Sequence, residues 1–290
     1  MKSNPVSRNE VIAVSTAYLQ TGLVSNEFEK LPIADDCIRT ENGWYSGKSK
    51  GEILGNMPKI PGLGNLRWVV EGQEAVVFWE IFRPVTGRPI AEYFRLVDGQ
   101  IKEIRATFNN LHATSNALGP AGSHDFERVP KTRGQRDLDT IRAGERFYEG
   151  LERGDLAGVP FGSDITITEN GEMTAQGHES LSRWHRESFA DHVRKVDIRS
   201  WVVEGDEAAA LFSANLTGGM VIVGTQYFRF YEGLIREIVV SYGGGPSPKE
   251  VAFFERGEHV TEKGGEGSTM GAAIEALAEE ARGDQGGRHG

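Results

Sequence analysis

The chain writes one module twice, and that repetition constrains its fold more than any single motif. Thr40-Glu41-Asn42-Gly43 returns as Thr168-Glu169-Asn170-Gly171, and Trp68-Val69-Val70-Glu71-Gly72 returns as Trp201-Val202-Val203-Glu204-Gly205. Tyr93-Phe94-Arg95 ahead of Gly99-Gln100-Ile101-Lys102-Glu103-Ile104 comes back as Tyr227-Phe228-Arg229 ahead of Gly233-Leu234-Ile235-Arg236-Glu237-Ile238. The offsets are 168 − 40 = 128, 201 − 68 = 133 and 227 − 93 = 134, so the order is kept and only loops change length. The period far exceeds the ~20–50 residues of solenoid repeats, and each copy is therefore expected to be a whole domain with its own core. A chain of 290 residues has room for two.

Each copy begins with a helical period and ends in a strand period. Val11, Ile12, Val14, Tyr18, Leu19 and Leu23 fall within one half of a helical wheel, as do Leu138, Ile141, Phe147, Tyr148 and Leu151 in the second copy. Val76, Val77, Phe78, Trp79, Ile81 and Phe82 read as a strand apolar on both faces, followed by a turn at Pro84-Val85-Thr86-Gly87. Tyr93 to Leu96, an Asp98-Gly99 turn and Ile101 to Phe108 read as a hairpin. The layout is α+β, with helices packed on a curved antiparallel sheet, twice over. The expected boundaries are a first domain over 7–114, a linker over 115–136 and a second domain over 137–245. A Gly-rich, partly disordered tail over 246–290 follows, with a short helix from Ala272 to Ala281.

Composition narrows the function classes. A net charge of −10 with no compensating Lys/Arg run argues against nucleic acid or an anionic membrane as partner. The single cysteine, Cys37, excludes an intrachain disulfide and a multi-cysteine metal site. The start carries no apolar secretory core, and no apolar run of ~18 residues follows, so a cytoplasmic protein is expected. His178, His185 and His192 recur every seven residues on an expected helix, which at ~1.5 Å per residue spaces neighbours ~10 Å apart, too far to share one metal. Gly62-Leu63-Gly64-Asn65 is followed by no helix, and neither a phosphate-binding loop nor a nucleophile elbow is present. The expectation is chemistry with no metal and no cofactor. The apolar, Pro/Gly-punctuated stretch from Lys48 to Leu66 reads either as a lid or as packing.

These residues resemble the nuclear transport factor 2-like superfamily, which includes ketosteroid isomerase, scytalone dehydratase, limonene epoxide hydrolase and the SnoaL-like polyketide cyclases. The resemblance covers about residues 8–112 and 137–243. It rests on the helix before Gly154-Asp155-Leu156, on Ala34-Asp35-Asp36-Cys37-Ile38-Arg39-Thr40-Glu41, and on the Tyr-Phe-Arg to Gly-x-Ile-x-Glu-Ile hairpin. It implies two tandem cone-shaped domains, packed as an internal version of the family's dimer with further self-association open. The general-base position of ketosteroid isomerase falls on Glu41 and Glu169, and its oxyanion-hole acid on Glu92 and Gln226. Its oxyanion tyrosine falls on Leu19 and Phe147, one position from Tyr18 and Tyr148. Resemblance to the scytalone dehydratase branch also singles out His185 as a proton shuttle, and His112 is a candidate for the pocket mouth.

Apart from the resemblance, Glu92 alternates with Phe94 and Leu96 and so shares a strand face with two large apolar side chains. Desolvation there raises its pKa, giving a neutral donor opposite an ionised Glu41. Such a pair is a general acid and base. The bland alternative pairs Glu92 with Arg95 or Arg105 and leaves Glu41 bonding backbone in a turn. The expected activity is a cofactor-independent lyase or isomerase on a small, mostly apolar carbonyl or aromatic compound. Catalysis is assigned to Glu41 and Glu92, and substrate contact to Tyr18, Asn42, Trp44, Glu169, His185 and Gln226. Alternatives are an epoxide hydrolase, a polyketide cyclase, or a non-catalytic binding or assembly module. An open apolar cavity of ~300 Å³ or more lined by Glu41 and Glu92 favours the enzyme, and a filled cone favours the module.

Overall fold

The computed structural model describes residues 6–82, 88–109, 120–121 and 131–246, and shows the two copies as two domains of one topology. Domain 1 runs α1 (Arg8–Ala17), a π-helical segment (Tyr18–Val24), β1 (Ile33–Glu41), β2 (Trp44–Gly47), α2 (Lys50–Asn56), β3 (Leu63–Glu71), β4 (Glu74–Ile81), β5 (Arg88–Val97) and β6 (Gln100–Phe108). Domain 2 runs α3 (Gln135–Arg153), β7 (Phe161–Glu169), β8 (Glu172–Gln176), α4 (Gly177–Ser188), β9 (Val193–Glu204), β10 (Glu207–Leu216), β11 (Val221–Tyr231) and β12 (Leu234–Gly244). The tail beyond Pro246, the turn at Pro84 to Gly87 and His112 lie outside the described residues.

The strands form two six-stranded sheets, ordered β2-β1-β6-β5-β4-β3 and β8-β7-β12-β11-β10-β9. The α+β layout is as expected, with one correction: the sheets are mixed, because β1 runs parallel to β6 and β7 parallel to β12. A hairpin must be antiparallel, but these pairs join the first and last strands of each domain, so no short turn dictates their direction. The repeat holds in register. Trp68 faces Val77 as Trp201 faces Ala210, and Tyr93 faces Val76 as Tyr227 faces Ala209.

Alternation along β4 explains why it reads apolar on both faces. Val77, Trp79 and Ile81 enter the core of domain 1, whereas Val76 and Phe78 point the other way. There they join Val69, Ala91 and Tyr93 against Val202, Ala209, Leu211 and Tyr227, a core shared by both domains. At its centre Thr107 and Thr225 hydroxyls bond at 3.0 Å, and Ser241 donates to the Thr107 carbonyl at 2.8 Å. The edges of β3 and β9 satisfy each other reciprocally: Val203 N donates to Glu71 and Val70 N donates to Glu204, both at 2.9 Å. Lys131 and Arg133 then bind Glu71 at 2.9 and 2.8 Å, and each donates to the Trp201 carbonyl at 2.7 Å. The expected linker is therefore docked at its end, and α3 starts at Gln135, two residues inside it.

Three further details differ from the sequence reading. The apolar face of the first helix does not continue as an α-helix; the backbone widens to π geometry at Tyr18, which lets both Tyr18 and Leu19 be fully buried. Leu138, expected on the core face of α3, is exposed in its first turn. The helix carrying His178 and His185 ends at Ser188, so His192 lies beyond it. Among the described residues no helix is long and apolar enough to cross a membrane.

Candidate active site

Strand alternation carries Glu92 into the cone of domain 1, where it faces Val77 on β4 and Ala106 on β6 and is 1% exposed. Neither of its carboxylate oxygens makes a hydrogen bond of good geometry, although the buried Trp79 indole, itself without such a bond, is close enough to act on the carboxyl as a donor. The nearest cation is Arg39 of β1, whose Nη2 stands 3.9 Å from Glu92 Oε1, an ion-pair distance too long for a hydrogen bond. The other donors of Arg39 are engaged. Nε donates to the Tyr18 hydroxyl at 3.0 Å, and Nη1 donates to Ser46 Oγ at 2.7 Å and pairs with Glu41. Glu41 sits two residues along the same strand, so it shares Arg39's face. The Tyr18 hydroxyl in turn donates to the Met57 sulfur at 3.4 Å, just beyond α2. The stretch from Lys48 to Leu66 thus closes over this cluster, with Ile53 fully buried.

The charges in this cluster hold one another in place. Burial lifts Glu92 to about 7, against the pull of the Arg39 cation, helped by the neighbouring Glu41 charge and opposed by the Trp79 indole. Burial also opposes the charge on Arg39, but Tyr18, Glu41 and Glu92 outweigh it and raise its pKa. Tyr18 is driven well above its ordinary value, chiefly by burial. At neutral pH the cone of domain 1 therefore holds a fixed cation flanked by two carboxyls, of which Glu92 exchanges a proton near pH 7. Arg95 and Arg105, the partners offered by the bland reading, bind Glu103 instead.

Arg39 and Ser46 were not singled out from the sequence, although a signal was there. The repeat places Ile167 opposite Arg39 (39 + 128 = 167) and Gln226 opposite Glu92 (92 + 134 = 226). The cation and the buried acid are present together in one copy and absent together from the other. Of the remaining candidates, Asn42 directs its side chain to the backbone of Phe108, accepting from N and donating to O at 3.1 Å each, which pins the β1–β2 turn. Asn170 accepts from Tyr242 N in the same way at 3.0 Å. Both asparagines have positive φ followed by a glycine at positive φ, the two-residue turn that Asn-Gly favours. Trp44 is buried beside that turn, opposite Glu41 on β2.

Domain 2 presents a different interior. A cavity of about 30 Å³ lies among Phe147, Tyr148, Glu169, Trp184, Gln226 and Tyr242, with Ile167 on its wall. That is room for a water or two and far below the ~300 Å³ of a typical ligand pocket. Glu169 accepts from the Trp184 indole at 2.7 Å, and burial raises its pKa against that bond and one from Thr174. The Tyr148 hydroxyl is buried without a partner. His185 is buried behind this wall rather than on it; its Nε2 has no partner and burial depresses its pKa. His178 and His192 are exposed, and among the described residues no three His, Cys, Asp or Glu side chains converge as metal ligands would. A wide groove of about 810 Å³ runs outside the cone, between α3 and the β11–β12 turn. Neither of these spaces is lined by Glu41 or Glu92, so by the cavity criterion the closed cone of domain 1 favours the binding or assembly module, and an enzyme there requires the cone to open.

Comparison with known proteins agrees with this division. Residues 144–238 match the model of the SnoaL-like domain, and residues 4–108 match a domain of unknown function, DUF8021. The second domain is thus similar to SnoaL-like domains over residues 144–238. Similar solved structures include an NTF-2 like protein of unknown function from Burkholderia xenovorans at 16% identity, covering 45% of this chain and 100% of that one, TM-score 0.35. A putative SnoaL-like polyketide cyclase from Jannaschia is 13% identical over 39% of this chain and 91% of that one, TM-score 0.33. An LEH-like epoxide hydrolase from M. tuberculosis is 16% identical over 42% and 98%, TM-score 0.33. No curated protein matches the chain.

Proposed function

We propose that the chain is a cofactor-independent lyase or isomerase acting on a small, mostly apolar carbonyl compound in the cone of domain 1. The observation that carries this reading is Glu92: a carboxyl 1% exposed, without a hydrogen bond of good geometry and with a pKa of about 7. A buried polar group left without a hydrogen bond costs ~1–3 kcal/mol, so its presence calls for a reason. A proton donor poised at neutral pH supplies one.

In the proposed cycle Glu41, paired with Arg39, removes a proton from the carbon next to the substrate carbonyl. Negative charge moves to the carbonyl oxygen, where Arg39 and the neutral Glu92 carboxyl stabilise it. Return of the proton to a different carbon shifts a double bond; departure of a leaving group protonated by Glu92 completes an elimination instead. Admission of substrate requires the segment bearing Ile53 and Met57 to move. The cone of domain 2 fits a supporting role, since Glu169 is already bonded by Trp184 and Gln226 exchanges no proton.

The test is solvent-deuterium incorporation into a panel of small ketones and aryl carbonyls, followed by NMR, alongside carboxyl-carbon NMR of glutamate-labelled protein. One carboxyl should titrate near pH 7 and vanish in Glu92→Gln, with exchange slowed ~10²–10⁴-fold. A Glu92 that titrates in the ordinary carboxylate range, with exchange unaffected by the substitution, refutes the proposal.

A further inference from the structure

Helix α2 of domain 1 has a counterpart in α4 of domain 2, and the two are fastened differently. The offset of 128 that relates β1 to β7 also relates Gly47 to Ala175, Ile53 to Leu181 and Asn56 to Trp184. The sheets keep that register, since Gly47 pairs with Arg39 on β1 as Ala175 pairs with Ile167 on β7. α4 is held down by three buried side chains, Leu181, Trp184 and His185, and Trp184 also donates to Glu169 at 2.7 Å. From Lys48 to Met57 only Ile53 is buried. Around it Asn56 Nδ2 donates to the Ser46 carbonyl at 3.1 Å, and the Tyr18 hydroxyl donates at 3.4 Å to the Met57 sulfur, a weak acceptor.

Within itself α2 is well made. Ser49 Oγ accepts from Glu52 N at 3.3 Å and Glu52 accepts from Lys48 N at 2.7 Å, a capping box that holds the short helix together as a unit. Past Pro58 the chain is fixed again, where Ile60 N donates to the Leu23 carbonyl at 2.9 Å. Gly47 is what allows α2 to lie flat between these points. A Cβ there would stand 2.4 Å from Ile53 Cγ1 and 3.0 and 3.1 Å from Ile53 N and Cα, and backbone atoms cannot turn aside as a side-chain tip does. Domain 2 carries Ala175 at this place, buried in its core beside Leu181, so the sheet accepts the methyl group; what it excludes is a helix lying as close as α2.

We infer that α2 is a gate over the cone of domain 1, with Gly47 as its seat and Ile53 as the plug that an entering substrate displaces. Both residues that fasten it, Tyr18 and Ser46, are themselves partners of Arg39, so the gate closes directly on the charged cluster. Lifting it uncovers one buried apolar side chain and breaks the bonds of Asn56 and Met57, which places its opening among the low-stability local motions of a fold. α4, with its three buried side chains, stays shut. What the gate admits rests on the reaction proposed for domain 1; that it opens does not.

Hydrogen exchange of the full chain, followed peptide by peptide at several urea concentrations and without substrate, tests the gate. Amides over 50–57 should exchange through a local opening that urea hardly changes, while those of β5 and α4 exchange through larger unfolding that urea promotes. Gly47→Ala should speed exchange over 50–57 by roughly 10–100-fold, the effect of an overpacked contact, and leave β5 and α4 as they were. Asn56→Ala, which removes a fastening bond without crowding, should act in the same direction, and the control Ala175→Gly should leave 50–57 unchanged. Exchange over 50–57 that tracks β5 in rate and urea dependence makes α2 fixed packing and overturns the inference. So do variants that exchange there no faster, or a Gly47→Ala that loosens the whole of domain 1. Gate opening as expected, with no deuterium incorporated into any ketone, would refute the reaction and leave the gate standing.

Discussion

Replacing Glu92 by glutamine should make the protein more stable, and only at high pH. The folded chain holds the Glu92 proton up to about pH 7, whereas an unfolded glutamate releases it near 4.5. Between those values the native state binds more protons than the unfolded state, so stability falls as pH rises through the window and is flat above it. At ~1.36 kcal/mol per pH unit, the difference between 4.5 and about 7 corresponds to about 3 kcal/mol. Glutamine has the shape of the neutral acid and no charge to desolvate. Melts of the two proteins should therefore coincide to within ~1 kcal/mol at pH 5 and separate to about 3 kcal/mol in favour of Glu92→Gln at pH 8.5. At ~2.1 cal/mol/K of unfolding entropy per residue, the melting temperature of a chain of this size unfolding as one unit rises by roughly 5 °C, readable by calorimetry across a pH series. A stability difference that does not vary between pH 5 and 8.5, or a variant weaker than the intact chain at pH 8.5, refutes the reasoning. Either result would make Glu92 an ordinary ionised partner of Arg39.

Arg39→Ile should cost ~3–5 kcal/mol in urea melts, since it strands Glu41 and Glu92 without their cation, and Arg39→Ile/Glu92→Gln should recover part of that loss by restoring the pair found in domain 2. Glu71→Gln removes the anion that holds Lys131 and Arg133 at the seam, and should cost ~1–3 kcal/mol and begin to separate the calorimetric transition into two. Glu41→Gln should reduce turnover ~10²–10⁴-fold with folding intact, and Glu169→Gln should change it little; the reverse order in steady-state kinetics would move the active site to domain 2.

The architecture was legible because it was written twice. Two copies fixed the domain count, and the positions of Trp68, Tyr93, Trp201 and Tyr227 are equivalent in the folded sheets as in the sequence. Burial of Glu92 followed from alternation with Phe94 and Leu96, a local property of a strand. The direction of β1 against β6 was not legible, because it depends on how the ends of the domain meet. The π-helical turn at Tyr18 was hidden for a related reason: apolar periodicity assumes a constant 100° per residue, and the widened turn brings two consecutive residues inward. Arg39 escaped notice because an arginine on a strand reads as solvent-facing, and only the carboxyls and hydroxyls that other elements bring to it make its burial tolerable.

The second copy serves as an internal control on what the cone needs in order to fold. With Ile167 and Gln226 in place of Arg39 and Glu92, domain 2 builds the same sheet and closes its core to a cavity of about 30 Å³. A buried ion pair is weak evidence for stability, and apolar replacements of similar volume are often neutral or stabilising by ~1–4 kcal/mol. The fold therefore does not require the charges of domain 1. Nor do they form the well-bonded set that would offset their own desolvation: Arg39 is tied to Glu41, Ser46 and Tyr18, while Glu92 faces Arg39 Nη2 at 3.9 Å and the Trp79 indole, neither of which closes a hydrogen bond of good geometry on it. A purely structural cluster would be expected to close that 3.9 Å gap, since a small rotation gains a charge-assisted bond. Groups held short of bonding, on a cation whose other donors are locked, can change partner when a substrate oxygen arrives. That is the physical ground for proposing domain 1, rather than domain 2, as the seat of any chemistry.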